Sequence, residues 1–463
     1  MSLKQPLSRR QFLATGAQAT LATTALVHAS SRAPQANVIG ANDRIRLAVC
    51  GVRKRGFDHV RLFSEIPNVS VVALCDVDEN VLRERSAKMD ELGLPKPVAY
   101  TDVRKLLEDS SIDAITIATP NHWHTLMAIW ACQAGKDVYV EKPFSHNMWE
   151  GRQLIRAIKR YNRIVQHGAQ TRSSESANEA IQHLKQGLIG EVYLARGLCF
   201  KRRNSIGRTP VEPVPAGVDY DLWTGPAPVH PFTRNRFHYN WHWFWEYGNG
   251  DLGNQGIHQV DIARWGLGVG FPNKISAIGG HFVHDDDQTT PNTLNCAFQY
   301  DLADGKRKMI EFEVRHGITH READIGTEKL GSGTQGPNTI GNIFYGANGY
   351  LALGDEDTAN AYQAWLGSDM VAGPSGHKGG SRYHFANFIK AVRSRKQEDI
   401  TATIEDGHIS CTMVHLANAS YRLGRTLNFD PVKEEVIEDS EANRLLREAD
   451  RGYRKGYRIP KNL

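Results

Sequence analysis

The sequence predicts an α/β fold, with an N-terminal doubly wound parallel sheet of the Rossmann kind followed by a C-terminal α+β domain built on an open, mostly antiparallel sheet. Three observations point there. A strand, glycine turn, helix and second strand occupy residues 45–76; further apolar strands alternate with helical stretches to about residue 166; and period-two alternation appears only later, around residues 296–315. At 463 residues the chain exceeds one ordinary core, and 40% hydrophobic with 23% charged residues is the composition of a folded chain.

The first unit runs Ile45 to Cys50, then Gly51-Val52-Arg53-Lys54-Arg55-Gly56, then a helical stretch through Glu65, then Val69 to Cys75 and Asp76. Gly51 permits a tight strand-to-helix turn and Gly56 lets helix and strand pack closely. The helix N-terminus offers free N–H groups and the positive end of its dipole to a pyrophosphate. Arg53 stands where the second glycine of the dinucleotide fingerprint would be, so its side chain, like that of Arg55, is a candidate cofactor contact. Asp76 is placed to accept hydrogen bonds from ribose hydroxyls. Val77 and Asp78 follow it, with no base to receive a 2′-phosphate, so NAD is expected in preference to NADP.

Asp113 to Ala118 reads as a buried strand, Thr125 to Ala134 as a helix closed by Gly135, Asp137 to Val140 as a strand, and Asn147 to Tyr161 as a helix before Ile164-Val165. Ligands of such sheets lie beyond the carboxyl ends of the strands. Thr119, Asn121 and His124 fall at one of those ends and Glu141-Lys142-Pro143 at another, which makes Thr119, Asn121, His124, Glu141 and Lys142 candidate cofactor residues.

Beyond residue 166, Cys296 to Tyr300 and Met309 to Arg315 flank Asp304-Gly305 as a hairpin, with Ile310, Phe312 and Val314 alternating against Glu311, Glu313 and Arg315. Phe385, Phe388, Ile389 and Val392 predict a helix near 383–394 that packs back on the N-terminal domain. The Gly-rich stretch from Gly331 to Gly341 reads as a loop. The resulting division is a leader at 1–29, an arm at 30–43, a nucleotide-binding domain at 44–166, a substrate and oligomerisation domain at 167–430, and a tail at 431–463. The tail, with Arg444, Arg447, Arg451, Arg454 and Arg458, is expected to wrap a neighbouring subunit.

The leader reads Ser8-Arg9-Arg10-Gln11-Phe12-Leu13, then a weakly apolar stretch to about Val27, then the small-residue site Val27-His28-Ala29. This resembles a twin-arginine signal and predicts export through the twin-arginine machinery to the periplasm or beyond. No other segment approaches the ~18 apolar residues needed to span a bilayer, so no membrane attachment is expected once the leader is removed. The net charge of +5 shrinks further when Lys4, Arg9 and Arg10 leave with it. That is too little for a nucleic-acid binder, and Lys201-Arg202-Arg203 reads as a solvated face. Six scattered cysteines show no metal or disulfide spacing, and no metal is expected.

Taken together, the glycine loop, Thr119-Pro120-Asn121-His122, Glu141-Lys142-Pro143, Gly187-Leu188-Ile189-Gly190-Glu191-Val192 and Gly256-Ile257-His258-Gln259-Val260-Asp261 resemble the Gfo/Idh/MocA oxidoreductases over roughly residues 44–430. The resemblance implies an NAD(P)-dependent enzyme acting on a sugar or polyol, commonly as a dimer or tetramer through one sheet face. It implies that Lys142 contacts the nicotinamide ribose region and the substrate hydroxyl, and that His258 faces the nicotinamide as general acid/base. Asp261, one helical turn later, is expected to bind substrate or orient His258, and His122 is a further substrate candidate. Where the family often carries an aspartate four residues before this histidine, the chain has Asn254; His258 then acts alone, or Asp251 or Lys142 supplies the missing function, or the reaction is not simple dehydrogenation.

The run from Phe237 to Tyr247 is unusually aromatic. Trp241 within it fits a carbohydrate platform, and an oligomer or domain contact explains the same composition. Nicotinamide nucleotides are not freely supplied outside the cytoplasm, so an exported enzyme is expected to carry its cofactor and to return the hydride within one site. Coupled oxidation and reduction of two sugars satisfies this, and so does redox-neutral glycoside hydrolysis by oxidation, elimination and re-reduction. A non-catalytic sugar- or nucleotide-binding protein is the alternative of another class.

Overall fold

The computed structural model describes residues 44–317, 319–323, 325, 338–354, 361–376, 382–448, 452–460 and 463. The leader, the arm, Arg451 and most of the Gly331–Gly341 stretch lie outside the described residues.

The first sheet is parallel throughout, in the order β3-β2-β1-β4-β5-β6. Its strands are β1 Ile45–Cys50, β2 Val69–Cys75, β3 Val98–Tyr100, β4 Ala114–Ile117, β5 Asp137–Glu141 and β6 Val165–Gly168. β1, β4, β5 and β6 are almost wholly buried because helices cover both faces, which is why they read as continuous apolar runs. The crossover helices are α1 Arg55–Ser64, α2 Glu79–Glu91, α3 Val103–Glu108, α4 Asn121–Gln133 and α5 Met148–Tyr161. Chain order reverses between β1 and β4, and this switch point opens the crevice for a ligand.

α4 begins at Asn121, a turn before the expected Thr125. Pro120 occupies its N-cap, where a fixed φ and a missing N–H suit a helix start. Asn121, His122 and His124 therefore ride on the first turn of a helix whose mouth faces the crevice. α5 begins where Asn147 caps it, its Oδ1 accepting from Glu150 N at 2.9 Å.

The second sheet has ten strands, in the order β14-β13-β12-β11-β7-β10-β9-β8-β15-β16. They are β7 Val192–Phe200, β8 Lys274–Gly280, β9 Thr293–Asp301, β10 Arg307–Arg315, β11 Thr339–Gly346, β12 Gly349–Gly354, β13 Tyr362–Leu366, β14 Val371–Gly376, β15 Leu427–Asp430 and β16 Glu435–Val436. Every pairing is antiparallel except β7 with β10. The expected hairpin is β9–β10, with Cys296 opposite Phe312, and Ile310, Phe312 and Val314 are buried. α6 Glu175–Lys185, the short α7 Tyr220–Thr224, α8 Ile257–Leu267, α9 Arg382–Ser394, α10 Ile404–Leu423 and α11 Ser440–Glu448 complete the order.

One apolar cluster runs from Ala48 and Ile115 under the first sheet through α8 and α10 to Phe298 and Phe312 on the second, so a common core fixes the two sheets against each other. A second cluster covers the other face of the first sheet. There Phe385 of α9 stacks on Tyr139 at 5.1 Å and meets Phe63 edge-on. Each such ring buried is worth roughly 1.5–3 kcal/mol. The described tail packs on its own chain: Tyr457 and Ile459 join the common core and Tyr453 Oη donates to Glu150 Oε1 at 2.6 Å.

Candidate active site and cofactor cleft

A cavity of about 480 Å³ opens at the carboxyl ends of β1, β4 and β5. At one side lies the glycine turn. Gly51 has φ +79°, and a Cβ there would sit 2.8 Å from the Ala118–Thr119 peptide; a Cβ on Gly56 would come within 1.8 Å of the Gly51 carbonyl oxygen. Both positions therefore require glycine, for the turn and for the close packing of α1. Asp76 ends β2 with its Oδ2 accepting from Val52 N at 2.9 Å and Oδ1 from Asp78 N at 3.1 Å, and burial pushes its carboxyl up to about 6.

The three cations of the turn part company. Arg55 Nε donates to Glu141 Oε1 at 2.7 Å, whereas Arg53 and Lys54 line the cavity from exposed positions. Glu141 Oε1 also lies 3.0 Å from His59 Nε2 and accepts from Gln170 Nε2 at 3.1 Å. Burial opposes its charge, but Arg55 and His59 hold the carboxyl well below the usual range. Glu141 thus ties the glycine loop to β5, and touches Lys142 only through the backbone N–H, 3.3 Å from Oε2. His124 lies with its ring nitrogens 2.8 Å from the Pro143 carbonyl and 2.7 Å from that of Thr119, joining the two strand-end loops, and Thr119 and Asn121 line the same cavity.

Lys142, Asn254 and His258 share another part of this wall. Lys142 Nζ donates to the Asn254 carbonyl oxygen and lies 3.5 Å from its Oδ1. Burial pushes the lysine down to about 8, against the pull of Glu141 and with help from Lys201 and Arg55. Asn254 Nδ2 donates to Asp251 Oδ1 at 3.1 Å. Asp251 is buried and fully engaged: Arg203 grips it with Nε at 2.6 Å and Nη2 at 2.8 Å, and His316 Nε2 lies at 2.7 Å. Burial alone would raise its carboxyl, yet Arg203 and His316 hold it well below the usual range, so it is no proton acceptor near neutral pH. Lys201 reaches Gln255 Oε1 at 2.6 Å, and neither it nor Arg203 belongs to the expected solvated face.

His258 presents its ring to the cavity without a hydrogen bond to any described residue, and burial together with the nearby Lys142 charge keeps it neutral, well below an ordinary histidine. Lys142, at about 8, therefore titrates closer to neutral pH than His258 does.

Two other candidates face away. His122 packs against Trp223 and Tyr247, with Nε2 3.0 Å from the Trp223 carbonyl, and does not line the cavity. Asp261 is buried in an ion pair with Arg172, at 2.6 and 2.8 Å, accepts from Ser410 Oγ at 2.6 Å, and has Arg264 at 3.7 Å. Burial opposes this charge too, but the two guanidiniums hold Asp261 far down. It fixes α8 in place and turns away from substrate space.

The aromatic run divides. Trp243, Phe244 and Tyr247 are buried in a satellite core with Trp223 and Phe232, while Trp241, stacked on His242 at 3.6 Å, lines the cavity beside Tyr239 and His238. The irregular segment carrying this run straps the first sheet: Asp219 N donates to the Val77 carbonyl at 2.9 Å, Glu79 N to Gly217 at 2.8 Å, and Asn80 Nδ2 to Ala216 at 2.9 Å. The tail pins the strap through Arg454, which pairs with Asp221 and donates to the Gly225 carbonyl at 3.2 Å. Sequence reasoning missed His59 and Gln170, whose role emerges only once β5, α1 and the loop after β6 converge on Glu141. His59 falls one helical turn after Arg55, the only local hint.

A doubly wound sheet with a glycine turn, a cavity-lining carboxylate just after β2 and a lysine just after β5, joined to a second, mostly antiparallel sheet, is a Rossmann domain paired with a second α/β domain. The family model for the oxidoreductase family's NAD-binding Rossmann fold matches residues 45–169, and that for the family's C-terminal α/β domain matches residues 192–313 and 380–455; the chain belongs to the Gfo/Idh/MocA oxidoreductase family. A glycosyl hydrolase family 109 protein of Shewanella pealeana is 31% identical over 202 residues, 40% of this chain and 44% of that protein, so the chain spans under half the length of the curated relatives it matches. Among solved structures, the WlbA dehydrogenase of Bordetella pertussis in complex with NADH and UDP-GlcNAcA superposes with a TM-score of 0.59 at 18% identity, over 84% of this chain and 99% of that one. The aldose-aldose oxidoreductase of Caulobacter crescentus gives 0.60 at 17% identity, over 83% and 100%, and the myo-inositol 2-dehydrogenase of Lactobacillus plantarum 0.58 at 22%, over 84% and 100%. At these identities the likeness is one of fold.

Proposed function

We propose that the protein is an exported oxidoreductase that acts on a hydroxyl of a sugar, polyol or glycoside and keeps its NAD bound, the hydride returning within the same cleft. The observation that carries this reading is that Lys142, Asn254 and His258 line the same cavity as Gly51, Arg53 and Asp76. One cavity thus offers acid/base groups and a nucleotide cradle together.

The residues fit the nucleotide. Gly51 leaves no room for a side chain at the turn, Arg53 and Lys54 offer charge to a pyrophosphate, and Asp76 offers its carboxylate to a ribose. With Asp78 close behind, this end suits NAD better than NADP. Bound NAD supplies the hydride acceptor. Lys142, as free amine, takes the proton of the substrate hydroxyl, and neutral His258 holds the oxygen through a hydrogen bond. Trp241 offers an aromatic face to the C–H side of a sugar ring. Leu222, Trp223, Phe237 and Trp241 of the strap over β2 and α2 line the same cavity. A retained nucleotide suits the leader, because a chain exported folded must take its cofactor along.

The likeness to glycosyl hydrolase family 109 proteins, with Asn254 at the position of an expected acid, favours a second reading. There the same Lys142 base serves redox-neutral glycoside cleavage: oxidation acidifies a neighbouring C–H, loss of that proton expels the aglycone, which leaves protonated, water adds across the resulting double bond, and the hydride returns to the carbonyl. Purified protein given free sugars and aryl glycosides without added NAD separates the two. Aglycone release with no net sugar oxidation supports glycoside cleavage, paired oxidised and reduced sugars support oxidoreduction, and inactivity toward both classes overturns the proposal.

A further inference from the structure

The strap brings a second histidine to the catalytic cleft: His242 lines the same cavity as Lys142, Asn254 and His258. Its ring is held in one orientation. Nδ1 donates to the Tyr239 carbonyl at 2.5 Å, and the Trp241 indole stacks on the ring at 3.6 Å with 19° between the planes. Its main chain is pressed so closely on Gly248 that a Cβ there would come within 2.5 Å of the His242 carbonyl oxygen. A carbonyl only accepts, so the contact with Tyr239 requires the proton to sit on Nδ1. Burial, opposed by the Tyr239 carbonyl and helped by the nearby Lys142 and Arg203 charges, takes the ring down to about 3. His242 is therefore neutral at working pH, and Nε2 carries a bare lone pair. That nitrogen makes no hydrogen bond to any described residue and is open to solvent.

An acceptor there matters because every sugar hydroxyl brings a donor into the cleft, and the other acceptors around Lys142 are taken. Glu141 is engaged by Arg55, His59 and Gln170. Asp251 is engaged by Arg203, His316 and Asn254, and Gln255 Oε1 by Lys201. Resting on the reading of this cleft as a site of sugar oxidation, we infer that His242 is a specificity-determining residue. Its Nε2 accepts a hydrogen bond from a substrate hydroxyl other than the one oxidised, which selects sugars and polyols over simple alcohols.

The test uses the full chain loaded with NAD and isotope-labelled at histidine nitrogen, with glucose, N-acetylglucosamine and myo-inositol as probes. Nitrogen NMR reads the tautomer, and His242→Phe, which keeps a stacking ring without its nitrogens, assigns the signal. The expected Nε2 is bare with NAD alone and shifts toward the hydrogen-bonded side when at least one probe is added. The half-saturating concentration of that probe, read from reduction of the nucleotide, should rise about tenfold in His242→Phe and recover in part in His242→Gln, whose amide oxygen restores an acceptor. Monodeoxy forms of the probe decide if His242→Phe fails to fold: removal of one hydroxyl that is not oxidised should cost wild-type protein about tenfold. A protonated Nε2, a shift already complete with NAD alone, or half-saturation unmoved in His242→Phe while the probe still reduces NAD overturns the role of His242 and leaves the reading of the cleft standing. A probe that shifts Nε2 but never reduces NAD overturns that reading and keeps His242 as a sugar contact, and probes that do neither overturn both.

Discussion

Lys142 and Asn254 are in direct contact on one wall of the cleft, with the lysine ammonium held by the main-chain carbonyl of Asn254 and 3.5 Å from its amide oxygen. The amide is turned that way because its nitrogen is committed to Asp251 at 3.1 Å. An acid at position 254 would hold Lys142 as a charged partner; an amide lets burial take the lysine down to about 8.

The first consequence is a pH profile. If Lys142 is the base, kcat/KM rises with pH through a midpoint near 8, as the ammonium gives up its proton, and falls about tenfold per unit below it. A profile flat from pH 7 to 9 contradicts the assignment.

Asn254→Asp places a second buried carboxyl beside Asp251 and a full charge beside Lys142. The lysine pKa should rise and the kinetic midpoint move alkaline by about one unit or more, and like-charge repulsion should cost about 1–3 kcal/mol of stability. Paired pH–rate and urea-unfolding measurements check both.

Lys142→Ala should lower turnover by at least about a hundredfold while leaving nucleotide bound, since Gly51, Arg53 and Asp76 are untouched. Loss of nucleotide in this variant would instead make Lys142 a binding residue.

Asp261→Asn strips the buried Arg172 and Arg264 of their shared carboxylate. The expected loss is about 3–5 kcal/mol in denaturant unfolding, with KM little changed in whatever fraction folds. A large KM effect at unchanged stability would restore Asp261 to the substrate site.

Local physics made much of this legible in the sequence. Gly51 and Gly56 announce themselves because one turn and one close approach demand them, and the β9–β10 hairpin is written in the alternation of Ile310, Phe312 and Val314. His122 and Asp261 were misplaced because a motif gives position along the chain but not side-chain direction: the first points into the aromatic satellite core and the second toward Arg172. The Arg203–Asp251–His316 network joins residues far apart in sequence, and nothing near Arg203 distinguishes a buried ion pair from a solvated one. The strap from Ala216 to Tyr247 has neither period and is held by main-chain bonds to α2 and the β2 end, so no pattern could reveal it.

The most direct test of the central claim is the absorbance and mass of nucleotide released from freshly purified, extensively dialysed protein. Near-stoichiometric NAD retained through dialysis, and reduced when sugar is added without external nucleotide, is the expected result. Protein that emerges empty, takes up no NAD at millimolar concentration, or acts only with excess soluble NAD contradicts a carried cofactor and the internal return of hydride.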